Sequence, residues 1–373
     1  MGAVDVRPID LRKDLVAFVK SWWPIYDGDP HWVPPLMFDR KNFLHPDKNA
    51  YFKHADIQAF MAFRDGQAVG TITAQIDHDY QKREDGKGIG FFGFFEFMDD
   101  VEVATALSEA AAAWLRERGM TEMHGPFNFT TNHEFGLLCD GFQDPPVLNP
   151  YNRPYYEQRY QDAGLSKVKD WFAYWIDRGP VPGRFQKMHD RIARRHPNIS
   201  VRHANLKDKK GEISIAYDIY NDAWEENWGH SHISEPEFAA MAKDLLDFAD
   251  PKLVLFAYVD DEPAAVAVTL PDFNQVVKKC NGSLFPFGWY HLLFGRSNID
   301  RLRVFILGVK RKFQHLPMGI PLYVRTWEAA LENPKITGAD ASLVVEDNYK
   351  MRGALEKLGA KVHMTYRIYG RKL

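Results

Sequence analysis

Cysteine is nearly absent. Cys139 and Cys280 are the only two in 373 residues, and they fall in no Cys-x-x-Cys or Cys/His zinc spacing. That excludes a disulfide framework and fits a reducing compartment. Long apolar runs are missing too: no stretch of about 18 apolar residues occurs, so no bilayer-spanning helix is expected. There is no cationic excess. With 47 Lys+Arg against 50 Asp+Glu the net charge is −3, which leaves no overall basic field to hold nucleic acid. Residues 1–6 show no basic segment ahead of an apolar one, and Val6 breaks the myristoylation pattern, so a cytoplasmic setting is expected.

What the chain has in excess is aromatic side chains, with 26 Phe, 16 Tyr and 10 Trp. The 45% hydrophobic and 26% charged balance is that of a folded globular protein and excludes a disordered or collagen-like one. At roughly 100–200 residues per domain, the length suggests two domains.

Self-similarity gives that division its content. Val6-Arg7 and Leu11 recur as Val201-Arg202 and Leu206, an offset of 195. Ala62-Phe63-Arg64-Asp65-Gly66-Gln67 lies over Ala257-Tyr258-Val259-Asp260-Asp261-Glu262 at the same offset. Asn152 with Gly164-Leu165 is echoed by Asn348 with Gly359-Ala360 at 195 to 196. Four ordered echoes at a nearly constant offset imply two copies of one fold, 1–180 and 181–373, joined near Gly179-Pro180-Val181-Pro182-Gly183.

Each copy reads as a strand (3–8; 199–204), then helical segments carrying Trp22-Trp23 or Trp224 and Trp228. A hairpin (57–76; 252–270) and a strand (89–97; 303–310) follow. A helix (101–118; 319–332), a strand (121–127; 339–345), a short helix (152–163; 348–358) and a closing strand (168–176; 361–369) finish the unit. The expected class is α/β, a mixed sheet in each half.

This order, with the motif Gln314-His315-Leu316-Pro317-Met318-Gly319 after the strand ending in Val309, resembles the GNAT acyl-CoA N-acyltransferases in tandem. The resemblance implies that CoA pyrophosphate binds at the helix N-terminus of the second half, where backbone N–H groups make an anion site. It assigns Gln314, His315, Met318, Gly319 and Ile320 to that role, with positive charge from Lys310, Arg311 and Lys312. Backbone around Leu307, Gly308 and Val309 is assigned to the pantetheine and thioester. Pro317 departs from the motif and removes one donor. The first half has Met98-Asp99-Asp100 at the matching turn, which would repel pyrophosphate, so only the second half is expected to hold CoA.

His124-Gly125-Pro126-Phe127-Asn128, Glu134-Phe135-Gly136-Leu137-Leu138, Tyr151-Asn152-Arg153-Pro154-Tyr155-Tyr156 and Asn227-Trp228-Gly229 resemble the bacterial ceramide synthase-like group within that superfamily. The group implies transfer of a fatty acyl chain from acyl-CoA, as co-substrate, to the amine of a sphingoid base. No metal or prosthetic group is expected.

Amine acylation needs a base, because the amine arrives protonated. Glu134 is the first candidate, with His133 and His124 as alternatives; a loop-capping role for Glu134 is equally open. Tyr160, with Asn152 and Gly164, matches the family's thiolate-protonating landmark. The second half has Asn348, but Leu355 stands where the Tyr would be; Tyr349 is open as a substitute or as a half-buried structural residue, and release of thiolate to solvent is the other course. Asp347 is the expected helix cap. His230 and His232 read as a surface loop, and 282–294 as an apolar insertion that packs over the seam, lines an acyl tunnel or touches a membrane. Two other readings are an aminoacyl transferase of the peptidoglycan-bridge type, which a basic surface patch would favour, and a non-catalytic acyl-CoA or lipid binder.

Overall fold

The computed structural model describes residues 2–373, without the side chains of Asp244, Asp247 and Phe248. Fifteen strands form in chain order: β1 (Asp5–Ile9), β2 (Ala55–Arg64), β3 (Gln67–Asp77), β4 (Ile89–Phe97), β5 (Glu122–Gly125), β6 (Phe127–Asn128), β7 (Glu134–Phe135), β8 (Leu137–Asp140), β9 (Ser166–Asp177), β10 (Ile199–His203), β11 (Val254–Val259), β12 (Glu262–Pro271), β13 (Arg301–Val309), β14 (Gly338–Val345) and β15 (Lys361–Lys372). All but β6 and β7 join one sheet, in the order β1-β2-β3-β4-β5-β15-β9-β14-β13-β12-β11-β10, with β8 also on β15.

The repeat is visible in the register. Arg64 pairs with Gln67 across the first hairpin, and Val259 with Glu262 across the second. Both turns are two residues long with positive φ, at Asp65-Gly66 (50° and 79°) and Asp260-Asp261 (48° and 66°). That conformation matches the right-handed twist of the flanking strands. In each half the fourth strand is bulged on the third and pairs with the fifth, in parallel, for only three or four residues. Beyond Phe91/His124 and Val304/Ala341 the two strands diverge into a fork.

One expectation is corrected. The closing strands do not complete their own halves. Strand β9 of the first half pairs with β14 of the second, β15 of the second half pairs with β5 of the first, and the two pair with each other at the centre. The edge groups of β5 and β14 thus find their partners across the repeat. A second feature absent from the sequence reading is the helix Gly183–Arg195, whose Phe185 and Ile192 are buried while five of its Lys and Arg side chains stay exposed.

Helices cover both faces. A Cβ on Gly70 would meet Leu107 of helix Val101–Arg116, while Thr71, next along β3, bonds the indole of Trp22. Successive strand residues face opposite ways, so these helices lie on opposite sides of the sheet. Helix Val101–Arg116 ends where Gly119 takes a φ of 79° and Met120 N–H bonds Leu115 O, a Schellman closure. Because the halves share their central strands, calorimetry should record one cooperative unfolding transition. Truncation after Ala360 should leave no soluble folded protein. Two separated transitions, or a folded truncation, would contradict the exchange.

Candidate functional site

The two forks differ. In the first half the fork is occupied. Phe97 N–H donates to Tyr156 Oη (3.1 Å), Tyr155 Oη–H donates to Phe97 O (2.6 Å), and Phe94 N–H donates to Asn128 Oδ1 (2.8 Å). The helix N-terminus beyond it is closed as well. Asp100 accepts from Glu102 N–H (2.9 Å) and Val103 N–H (3.4 Å), and Arg64 pairs with Asp100 and Glu102. A pyrophosphate would have to displace a carboxylate already placed on the helix dipole.

In the second half the helix Gly319–Leu331 has no side-chain cap, so the amides of Gly319 and Ile320 lack one. Lys310 N–H bonds Ala264 O (2.9 Å), and antiparallel alternation then turns Gly308 toward β12 and Leu307 and Val309 toward the fork. Gly308 therefore contributes no free amide. Its lack of a side chain serves packing instead, since a Cβ there would sit 2.1 Å from Trp224. Gln314 donates from Nε2 to Val309 O (3.2 Å), which ties down the strand end, while His315 is exposed. Met318 has its side chain in the apolar core with Leu322, and its N–H is taken by Leu316 O (2.8 Å).

The added positive charge is also corrected. Helix Lys209–Trp224 and the residue after it bring carboxylates to the turn, where Lys310 pairs with Asp218 and Arg311 with Glu225, and β12 supplies Glu262 to Lys312 (2.6 Å). The Arg311 N–H itself donates to Asp222 Oδ2 (2.5 Å).

Two apolar cavities flank this half of the sheet. One lies under helix Gly319–Leu331, walled by Leu302, Val304, Leu307, Trp327, Ala341 and Leu355. The other lies between helices Lys209–Trp224 and Glu235–Phe248, walled by Ile213, Ala216, Met241, Phe256 and Val266. The aromatic run of β4 encloses no such space. Phe94 packs on Phe18, Trp22, Phe43 and Phe129, and Phe97 stacks on Tyr156 at 4.3 Å.

Glu134 is held by a two-point pair with Arg40 (2.8 and 3.0 Å) and by Asn128 Nδ2 (3.2 Å). Burial alone would raise its pKa, but the charge and hydrogen bonds of Arg40 win and hold it below the usual carboxylate range. That suits an anchor more than a base. His133 is ringed by Phe43, Tyr51 and Phe129, and burial lowers its pKa to about 4, so it is neutral. Tyr160 is buried against Phe92, Phe95 and Tyr369, while Asn348 caps helix Tyr349–Leu358 through Met351 N–H (3.1 Å). The two therefore serve different halves. Asn348 takes the cap expected of Asp347, which pairs with Lys169 (3.0 Å). Tyr349, expected to be half-buried, is 75% exposed.

The residue that sequence reading missed is Glu96. It accepts from Tyr26 Oη (2.6 Å) and Tyr156 Oη (2.8 Å), both on Oε2, and lines a small pocket with Asn128, Tyr151 and Tyr160. Burial raises its pKa to about 7, against the pull of both phenols and Arg40. A lone carboxylate in Phe91-Phe92-Gly93-Phe94-Phe95-Glu96-Phe97 was the available signal.

The seam is polar. Loop 227–232 is no free surface loop: Thr131 donates to Gly229 O (3.1 Å), Asn132 to Ser231 O (2.9 Å), and Ser231 to the buried Asp77 (2.7 Å). His230 is buried, which lowers its pKa to about 4. His54 lies 3.6 Å from Asp77 and Asp79, and its Nε2 is 2.9 Å from Glu237 of the second half. Burial works to lower its pKa, but hydrogen bonds and charge from Asp77 and Glu237 outweigh it and raise it to about 10. The stabilisation is then complete below the ordinary histidine pKa near 6.5 and disappears as pH rises through about 10. Urea unfolding should show wild type exceeding His54→Ala by more at pH 6 than at pH 10.5. An equal gap at both would contradict the ion cluster.

Among known proteins, the chain is 35% identical over 377 residues to the bacterial ceramide synthase of Caulobacter vibrioides (strain NA1000 / CB15N), covering 99% of this chain and 98% of that protein. It is 34% identical to protein YghO of Escherichia coli (strain K12), covering 99% and 95%. Among solved structures, the tandem GNAT protein from the clavulanic acid biosynthesis pathway matches with a TM-score of 0.55 at 11% identity, covering 99% of this chain and 98% of that one. At that identity the likeness is one of fold. No family model matches the chain.

Proposed function

The chain belongs to the family of the Caulobacter bacterial ceramide synthase, and from that premise we propose that it is an acyl-CoA-dependent N-acyltransferase acting on a long-chain amine. Ceramide is an N-acylated sphingoid base, so a sphingoid base is the acceptor class we favour. One observation carries the reading: the second fork is open along Leu307 and Val309, with an apolar cavity beside it, whereas the first is filled by its own tyrosines.

In this reading the pantetheine takes the edge of β13 and the amides of Gly319 and Ile320 meet the pyrophosphate. The acceptor nitrogen attacks the thioester carbonyl, so a C–N bond forms and the C–S bond breaks. The Leu307 and Val309 amides take the developing oxyanion charge. Glu96, poised near pH 7, is our candidate for the proton from nitrogen, and Glu134 with Arg40 sets its field. The thiolate takes its proton from solvent or from the exposed Tyr349. The lining of both cavities is mostly apolar, which would penalise a hydrophilic acceptor.

The exposed cations of helix Gly183–Arg195 favour a second reading, an aminoacyl transferase using charged tRNA. One assay separates the two: labelled acyl-CoAs of graded length with sphinganine or spermidine, alongside aminoacyl-tRNA. Amide should form with long-chain acyl-CoA and sphinganine only; transfer from tRNA alone would overturn the first reading. Glu96→Gln should lower kcat by about a hundredfold or more, the scale of general-base catalysis, and abolish the rise in rate through pH 7. Full activity with an unchanged pH profile would remove Glu96 from the mechanism.

A further inference from the structure

The connection from β12 to β13 occupies 29 residues (272–300), where the matching connection of the first half occupies 11 (78–88). Between Asp272 and Asp300 there is not one Asp or Glu, in a chain that carries 50 of them. Lys278, Lys279 and Arg296 are present instead, with a run of aromatic and aliphatic residues. That run does not fold inward, so of its three open readings packing over the seam is set aside. Phe285, Phe287, Trp289, Tyr290, Leu293 and Phe294 are 44% to 79% exposed.

The knob is nevertheless built. Cys280 is buried with its Sγ 3.3 Å from Gly288 O, Trp289 N–H donates to Leu284 O (2.8 Å), and the Trp289 indole donates to Pro286 O (2.9 Å). Its root is fixed to the first half, where Met37 N–H bonds Gly282 O (2.9 Å), and Phe38, also exposed, extends the apolar surface. At the base a cleft of about 510 Å³ is lined by Lys278, Lys279 and Arg301 together with Asp144 and Asp300. Lys278 is held by Asp144 (2.6 Å) and Arg301 by Asp272 (2.9 Å), whereas among the described residues Lys279 has no ion pair.

We propose that segment 273–299 docks the protein on an anionic membrane surface, with the aromatic knob in the interfacial layer and Lys279 at the headgroups. A concentrated exposed apolar surface in a soluble fold marks an interaction site. Trp and Tyr beside Phe and Leu, flanked by cations and free of carboxylates, match the chemistry of the bilayer interface. Charge also selects the occupant. A second copy packed symmetrically on this knob would oppose the same cations across the contact, while anionic headgroups complement them.

The test uses the full chain and sedimentation with extruded vesicles, in the absence of acyl-CoA and acceptor, so its outcome is independent of turnover. Wild type should bind vesicles of phosphatidylcholine with about a third phosphatidylglycerol at least tenfold more tightly than pure phosphatidylcholine, given about 1 kcal/mol per cation at an anionic surface. Phe285→Ser/Phe287→Ser/Leu293→Ser/Phe294→Ser should lose binding with an unchanged urea midpoint, because those side chains are exposed, and Lys279→Glu should weaken binding to the anionic vesicles selectively. No binding by wild type, equal binding by the quadruple variant, or a dimer that these substitutions dissolve while vesicles stay unbound would each overturn the proposal.

Discussion

Each half of the sheet is finished by the other half's last strand, and the chemistry of the molecule rests on that exchange. Strands β9 and β15 lie side by side at the centre, so the two forks and the seam between them are held by one continuous backbone ladder. Side chains reinforce the ladder across the repeat. Arg367 of β15 pairs with Asp170 of β9 (2.7 Å), and Lys167 bridges Asp170 and Glu346. Neither half can swing open without breaking strand pairing.

In the first half the fork is closed by self-contact, with tyrosine hydroxyls on the strand edge and Asp100 on the helix dipole. Substituting protein donors and acceptors for those of a ligand keeps the backbone groups satisfied. The same tyrosine, Tyr156, also reaches Glu96, so closing the first fork and tuning a buried carboxylate are one arrangement. The second half retains the vacant edge but neutralises its own basic turn through Asp218, Asp222 and Glu225. In the binding mode proposed above, a pyrophosphate would gain the helix amides but compete with carboxylates for Lys310 and Arg311.

Much of the fold was legible in the sequence. Periodicity and the 195-residue echo located the hairpins and β4, and the class followed from their order. The strand exchange was not legible, because β9 and β15 carry equivalent patterns and either could complete either half. The helix Gly183–Arg195 was lost in a linker marked by Pro and Gly. At the site, a motif on consecutive residues could not reveal that the Gly308 N–H faces β12 or that the Met318 side chain enters the core. Glu134 read as a base because its partner, Arg40, lies 94 positions away. Glu96 was passed over since its environment, two phenols from distant segments, exists only in the folded chain.

The division of labour between the halves is tested most directly by the stoichiometry of CoA binding, measured by isothermal titration calorimetry on the full chain. One CoA per chain is expected, abolished by Gly319→Asp, which sets a carboxylate at the second helix N-terminus as Asp100 does at the first, and unaffected by Tyr156→Phe. Two CoA per chain, or one that survives Gly319→Asp and is lost with Tyr156→Phe, would contradict it.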